Sequence, residues 1–314
     1  SKLLGAKMAI LASKLPLFTV VPQSKLFVSE PPPEWFGNGP NEAGAAWTNG
    51  NWLKSRFHFS FAEYRNYENS NFGALRVMND DLVQPKRGFG THGHQDAEIM
   101  TYVIEGGLTH QDSMGNKGLV QRGGIQYMSA GSGVRHSEFN HGDRPLRFIQ
   151  CWATPDARGV DPVYGQFDGE ASGRTNQLQH LVSAHTHQGV ATPIKVHQDL
   201  NLFVSELMQV GASVSFAVNP GRMAYLLCIE GAIELGGGGA VGDVQCAPTQ
   251  VCKAERHDAV EIQGPTDRDA APVTVTVTAS RLEAVEGGAQ AAHFMMFEMK
   301  QDPRGGRGDL APIK

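Results

Sequence analysis

Gly88-Phe89-Gly90-Thr91-His92-Gly93-His94 and Gly131-Ser132-Gly133-Val134-Arg135-His136-Ser137-Glu138 decide how the rest of the chain is read. Each stretch carries two metal-binding side chains separated by one residue. Successive side chains of a strand point to opposite faces, so His92 and His94 share a face, as do His136 and Glu138. Two such pairs on neighbouring strands of a small barrel converge on one point inside it. Three imidazoles and a carboxylate there form a mixed nitrogen and oxygen site for a first-row divalent ion, with positions left open for other ligands.

Working outward, the flanking sequence reads as strands. Met100 to Ile104 is apolar and β-branched, Glu105-Gly106-Gly107 turns it, and Leu108 to Asp112 returns. Gly123-Gly124 opens Ile125 to Ser129, and Leu146 to Trp152 is a further apolar strand. Upstream, the alternation Phe57-His58-Phe59-Ser60-Phe61 predicts a half-buried strand with His58 a hydrogen-bonded strand residue. Leu75 to Met78 predicts a short strand closed by Asn79-Asp80-Asp81. Downstream come Val214 to Val218, Tyr225 to Ile229, Ile233 to Leu235 and the alternating Val273 to Thr278. Dense short strands, glycine turns and no convincing helix predict an all-β chain of barrels or sandwiches. Tyr102-Val103-Ile104-Glu105-Gly106 is echoed by Leu227-Cys228-Ile229-Glu230-Gly231, which hints at a duplication whose second copy lacks the ligands.

The chain thus divides into an N-terminal extension (1–51), a metal-binding barrel (52–165), a second barrel without ligands (166–300) and a flexible tail (301–314). The connection is placed in the polar, Gly-rich stretch from Pro155 to Gln177. Ser1 to Leu15 carries Lys2, Lys7 and Lys14 and no acid; it reads either as the remnant of a targeting segment or as a short arm packed on the body. Glu30-Pro31-Pro32-Pro33 fixes an extended segment, and the run from Gly37 to Asn51 reads as loop.

Composition narrows the function classes. The chain has 314 residues, 40% of them hydrophobic, enough for two packed cores. With 27 basic and 32 acidic residues the net charge is −5, which argues against direct nucleic-acid binding. Cys151, Cys228, Cys246 and Cys252 form no Cys-x-x-Cys pair and read as small buried hydrophobes in a reducing compartment, expected to be the cytoplasm, with nuclear or organellar placement as the alternatives. No apolar run approaches the ~20 residues that span a bilayer.

The metal site competes with a plain reading, since His-x-His also arises by chance. His185-Thr186-His187 is such a case: it lies in a polar loop region with no second ligand pair nearby. His92 and His94 differ in having flanking glycines, a strong following strand and a matching His136-x-Glu138. Without a thiolate, structural zinc and copper(I) are disfavoured; Fe(II) fits best, with Mn, Ni, Co and Cu(II) compatible.

These residues resemble the cupin superfamily and, within it, the pirins. Gly88 to Gly106 resembles the first cupin motif in its pirin form, and Gly124 to Asn140 the second. Asp112 to Asn116 and Lys195 to Asp199 are also similar to pirin sequence, and the likeness runs from about Trp52 to Met299. It implies two tandem jelly-roll barrels with a metal, usually iron, in the first alone. Carried over by position, the ligands are His92, His94, His136 and Glu138. Glu98 stands where many cupins place a glutamate ligand, a role the pirin pattern gives to the carboxylate beside the second-motif histidine.

Three functions are open, the first two implied by the resemblance and the third by the leader, which lies outside the pirin pattern. One is a quercetin 2,3-dioxygenase: a flavonol and dioxygen as substrates, Glu138 as general base for the 3-hydroxyl, and release of carbon monoxide. Met100, Tyr102 and Met128 are candidates for its pocket wall, against the plainer reading of barrel core. The second is a redox-sensing module read by a protein partner such as a transcription factor. The third is a non-catalytic subunit docked through the N-terminal leader.

Overall fold

The structure, a computed structural model, describes residues 17–39, 51–241, 244–245 and 250–301. The basic leader, Cys246 and the tail beyond Gln301 lie outside the described residues. The first twelve strands are β1 (Phe18–Val21), β2 (Phe27–Ser29), β3 (Leu53–Phe57), β4 (Leu75–Val83), β5 (Gly88–His94), β6 (Glu98–Glu105), β7 (Gly107–Asp112), β8 (Lys117–Gln121), β9 (Ile125–Ser129), β10 (Val134–Phe139), β11 (Leu146–Ala153) and β12 (Val163–Phe167). A single α-helical turn, α1 (Ala171–Arg174), follows. Then come β13 (Gln179–Ala184), β14 (Ile194–Val196), β15 (Leu200–Leu207), β16 (Ser213–Val218), β17 (Arg222–Glu230), β18 (Ala232–Val241), β19 (Val244–Gln245), β20 (Gln250–Glu255), β21 (Ala259–Gln263), β22 (Val273–Arg281), β23 (Glu283–Ala284) and β24 (Gln290–Lys300).

These strands make two barrels of one design. In the first, a large sheet ordered β12-β9-β6-β11-β4-β3-β2 stands against a small sheet β5-β10-β7-β8. In the second, β1-β21-β17-β24-β15-β13-β14 stands against β16-β22-β18, with β19 and β20 on β18. The orders match position by position: β9, β6, β11 and β4 answer to β21, β17, β24 and β15. The echo in the sequence falls on β6 and β17, which occupy the same place in the two sheets. Among the described residues no helix is long and apolar enough to cross a membrane.

The two large sheets pack back to back. Met78, Met100, Tyr102 and Ile149 from the first join Leu202, Leu227, Met295 and Phe297 from the second in one buried cluster. Inside the second barrel another apolar cluster, including Leu226, Ile233, Val275, Val277 and Met296, fills the space. Inside the first barrel the apolar residues fall into two groups, one around Trp52, Leu108 and Phe148 and one around Ile99, Met128 and Val134.

Two local expectations change. Asn79-Asp80-Asp81 does not end a strand: β4 runs through to Val83. Asp80 is tolerated there because Arg147 grips it with two hydrogen bonds, 2.9 and 2.8 Å, and His257 adds one at 2.6 Å. Burial alone would push the Asp80 carboxyl up, but the Arg147 guanidinium and then His257 hold it well below the carboxylate range. The aromatic alternation at Phe57 is not one strand either. β3 stops at Phe57, and the His58 and Ser60 amides bond to Met78 and Asn69 carbonyls, so the aromatics part ways. His58 is nonetheless buried and hydrogen-bonded, Nδ1 to the Tyr225 hydroxyl of the other barrel at 2.9 Å.

The stretch Pro155 to Gln177 contains β12, the edge strand of the first large sheet, which pairs with β9. Part of the N-terminal extension is likewise built into the sheets. β1 pairs with β21 of the second barrel and β2 with β3 of the first, so this segment ties the two together.

Candidate metal centre and its cavity

β5 and β10 pair antiparallel with His136 opposite His92 and Val134 opposite His94. The register shifts between His136 and Glu138: Glu138 stands opposite Phe89, so Gly90 and Thr91 bulge against Ser137. Gly88 is required for this approach, because a Cβ there would lie 2.3 Å from the Glu138 carbonyl oxygen. At the other end Gly131 has φ +43°, and a Cβ would meet the Val160 carbonyl oxygen at 2.0 Å.

The three imidazoles converge. One ligand nitrogen from each of His92, His94 and His136 lies within 4.8 Å of the other two. His92 Nε2 and His136 Nε2 are 3.1 Å apart. Tautomers follow from the other ring nitrogens. His92 Nδ1 is 2.8 Å from the Gly90 carbonyl oxygen, which only accepts, so that nitrogen carries the proton and Nε2 a lone pair. His110 Nε2 donates to Asp112 Oδ2 at 3.2 Å, which leaves His110 Nδ1 free to accept from His136 Nδ1 at 3.5 Å. His136 Nε2 is then bare as well. His94 Nε2 is buried without a hydrogen-bond partner. Burial, then the neighbouring imidazoles, push the His94 ring down to about 3 and the His136 ring to about 2, so both are neutral at physiological pH. Inward-facing nitrogen lone pairs repel one another unless a cation sits between them, and a first-row divalent ion fits this donor set.

Glu138 stands two residues along β10 from His136 and lines the same cavity as His92 and His94. Its carboxylate groups with His136 and His110 rather than with all three convergent imidazoles. It is buried and held by amides: Gln126 Nε2 donates at 2.5 Å and Gln150 Nε2 at 3.2 Å. Thr101 Oγ1 is 3.4 Å away and gives its proton to Gln150 Oε1 instead. The ladder registers explain this: Asn79, Gln150, Thr101 and Gln126 are successive cross-strand partners on β4, β11, β6 and β9. This polar row separates the two apolar groups of the first barrel.

A cavity of about 150 Å³ opens from His92, His94 and Glu138 toward β3 and β4. Its walls are Phe57, Phe61, Phe89 and Trp152, with Phe36 and the 61% exposed Trp35 of the N-terminal segment closing the outer side. Trp52 Nε1 fastens that segment through the Pro31 carbonyl at 2.9 Å. Met100, Tyr102 and Met128 are not in this wall. Met100 and Tyr102 face the other barrel, on the opposite side of β6 from Thr101, and Met128 packs with Ile99 and Ala130. They are core. The sequence signals missed were the alternation Asn79-x-Asp81, mistaken for a turn, and His110-x-Asp112 in a return strand.

Glu98 is engaged elsewhere: Tyr127 and Ser129 hydroxyls donate to it at 2.5 and 2.8 Å, and the His197 amide at 3.2 Å. His187 bonds to Asp199 at 3.1 Å, and the His185 ring packs on His197. A second acid and imidazole cluster, Glu206, Glu230 and His293, lies between the barrels. It is already neutralised by arginines. Arg122 donates to Glu206 at 2.7 Å and to Glu230 at 3.1 and 2.9 Å, and Arg174 lies 3.2 Å from Glu206. His293 bridges Glu230 and the Tyr102 hydroxyl at 3.0 and 3.1 Å.

Residues 41–153 match the pirin family, and residues 181–271 match the family described as the quercetinase C-terminal cupin domain. A quercetin 2,3-dioxygenase of Escherichia coli K12 is 41% identical over 198 residues, covering 63% of this chain and 82% of that protein. The chain belongs to the pirin family. A pirin-like protein of Caulobacter vibrioides is 39% identical over 186 residues, 59% of this chain and 79% of that one. Among solved structures, the Escherichia coli pirin YhhW in complex with nickel(II) superposes with a TM-score of 0.66 at 28% identity, over 91% of this chain and all of that one. The tandem cupin architecture of this pirin-family chain is therefore the family's own, and the small and large sheets of each barrel are its jelly-roll faces.

Proposed function

We propose that this pirin is a metal-dependent dioxygenase of the quercetin 2,3-dioxygenase type, with His92, His94, His136 and Glu138 as its ligands and iron as its metal. The observation that carries the reading is the buried, partnerless His94 Nε2 facing two other imidazoles whose lone pairs also point inward. A nickel-bound relative and relatives named for quercetin cleavage support it. A divalent ion bound there supplies Lewis acidity and, if it is iron, one-electron chemistry.

The protein's part is positional. Glu138 takes the proton of the flavonol 3-hydroxyl, on a carboxylate held by the Gln126 and Gln150 amides so that it cannot swing away. Phe57, Phe61 and Trp152 line the cavity and orient an aromatic substrate while excluding water. Reconstituted separately with Fe(II), Mn, Ni, Co and Cu(II), the protein should bleach quercetin under oxygen and release carbon monoxide with at least one metal. No turnover with any of the five would overturn the assignment.

A further inference from the structure

The mechanism above uses the metal end of the cavity and leaves its other end unexplained. That end is polar where an apolar wall would be cheaper. Ser55, Asn79 and Asp81 line it, with 1%, 3% and 4% exposure. Ser55 and Asp81 are direct cross-strand partners, and Asn79 lies two residues along β4 on the same face. Asn79 Oδ1 is buried and completes no hydrogen bond, and the Ser55 hydroxyl has only the Asp81 carboxyl to turn to. Leaving such a group unpaired costs about 1–3 kcal/mol, so Asn79 Oδ1 calls for a partner that the protein does not provide.

Between this wall and the imidazoles stands a chain of edge-to-face rings. His94 meets Trp152 at 4.7 Å, Trp152 meets Phe61 at 5.3 Å, and Phe61 meets Phe57 at 5.3 Å. The cavity volume of about 150 Å³ is half the roughly 300 Å³ at which drug-sized ligand pockets begin. It matches an apolar cavity of roughly 150 Å³ that accepts one benzene ring.

We propose that the cavity is a single-ring phenol site, in which Asp81, Asn79 and Ser55 hydrogen-bond a ring hydroxyl on the wall facing the imidazoles. The guest is one hydroxylated aromatic ring, either a free phenol or one ring of a flavonol whose remainder reaches out past Trp35. Asp81 suits the role as both donor and acceptor. Burial first, then the nearby Asp80 and Glu138 carboxylates, push its carboxyl up to about 8, with the Ser55 hydroxyl offsetting part of the rise. The inference rests on reading the cavity as an aromatic-substrate site, though not on turnover.

Calorimetric titration of the metal-loaded full chain with phenol and with toluene, its methyl counterpart, tests it. Phenol should bind about tenfold or more tightly, since toluene leaves the polar wall unpaired. In Asp81→Leu the preference should collapse to within about twofold, while Asp81→Asn keeps most of it. Metal content and melting temperature of each variant report that the fold is intact, and the ligand pair on the parent protein needs no variant. Equal affinity for the two ligands, no saturable binding of either, or an unchanged preference in Asp81→Leu overturns the proposal; the last would place the hydroxyl on the metal. Quercetin competing with phenol identifies the guest as a flavonol ring, and phenol binding unaffected by quercetin identifies a small phenol. Phenol selectivity without quercetin cleavage removes the dioxygenase reading and keeps the subsite. Cleavage without phenol selectivity does the reverse.

Discussion

The two barrels share one strand order and fill it differently. Across β4, β11, β6 and β9 of the first, the inward row reads Asn79, Gln150, Thr101 and Gln126. Across the corresponding strands of the second, β15, β24, β17 and β21, a row reads Phe203, Met296, Leu226 and Val260. The facing small sheets differ in the same way. His92 and His136 stand opposite each other in the first, where the second has Phe216 opposite Val275 and Val214 opposite Val277. An apolar row meeting apolar strands closes into a solid core, whereas amides and imidazoles cannot interdigitate without leaving polar atoms unpaired. The same jelly roll therefore makes a packed support in one copy and a polar-lined cavity in the other.

If the cavity exists to hold an ion, His136→Ala should break the difference most strongly. It removes one of three convergent nitrogens and also the acceptor chain from His110 and Asp112. Metal affinity should fall by more than about 100-fold, beyond the 10–100-fold typical of losing a supporting residue; metal analysis after dialysis measures it. The second barrel should be indifferent to chelators, since among the described residues its one donor group, Glu206, Glu230 and His293, is held by Arg122 and Arg174.

Next in size is the contact between barrels. Arg122→Leu leaves the buried Glu206 and Glu230 short of a cation and should cost about 3–5 kcal/mol by denaturant unfolding. Metal content should stay the same, because this cluster is held by guanidinium groups. A variant that loses metal but keeps its stability would reverse the roles given to the two clusters.

A smaller effect is expected from acid. Burial would raise the Glu230 carboxyl, but His293 and then Arg122 hold it down at about 2, against an ordinary value of 4.5. A depressed carboxylate contributes fully above its unfolded value, so stability should be lost as pH falls from about 4.5 toward 2. Glu230→Gln should flatten part of that slope, leaving the shares owed to other depressed carboxylates such as Asp80 and Glu206. A slope unchanged by the substitution would remove Glu230 from the account. Gentlest should be Gln126→Leu, which takes one amide donor from Glu138; turnover should drop about 10-fold with the metal retained, as steady-state kinetics and metal analysis would show.

Much of this was legible in the chain. Period-two spacing beside glycine turns marks His92, His94, His136 and Glu138, of which the structure brings the three imidazoles together and groups Glu138 with His136 and His110, and the echo at Glu105 and Glu230 falls on equivalent strands. What stayed hidden depends on distant partners. Asn79-Asp80-Asp81 looks like a turn until Arg147 and His257, one from each barrel, neutralise Asp80 and let β4 continue. Phe57, Phe59 and Phe61 look like one strand until the backbone bonds of His58 and Ser60 bend it. Phe36 gives no local sign of closing a cavity, because its neighbours Phe89 and Trp52 are set by tertiary packing.

Anomalous diffraction from metal-loaded crystals, recorded at the absorption edge of the bound ion, tests the central claim most directly. A single peak is predicted in the first barrel, within bonding distance of His92, His94 and His136 nitrogens and a Glu138 oxygen. A peak between Glu206, Glu230 and His293, or none in the first barrel, would contradict it.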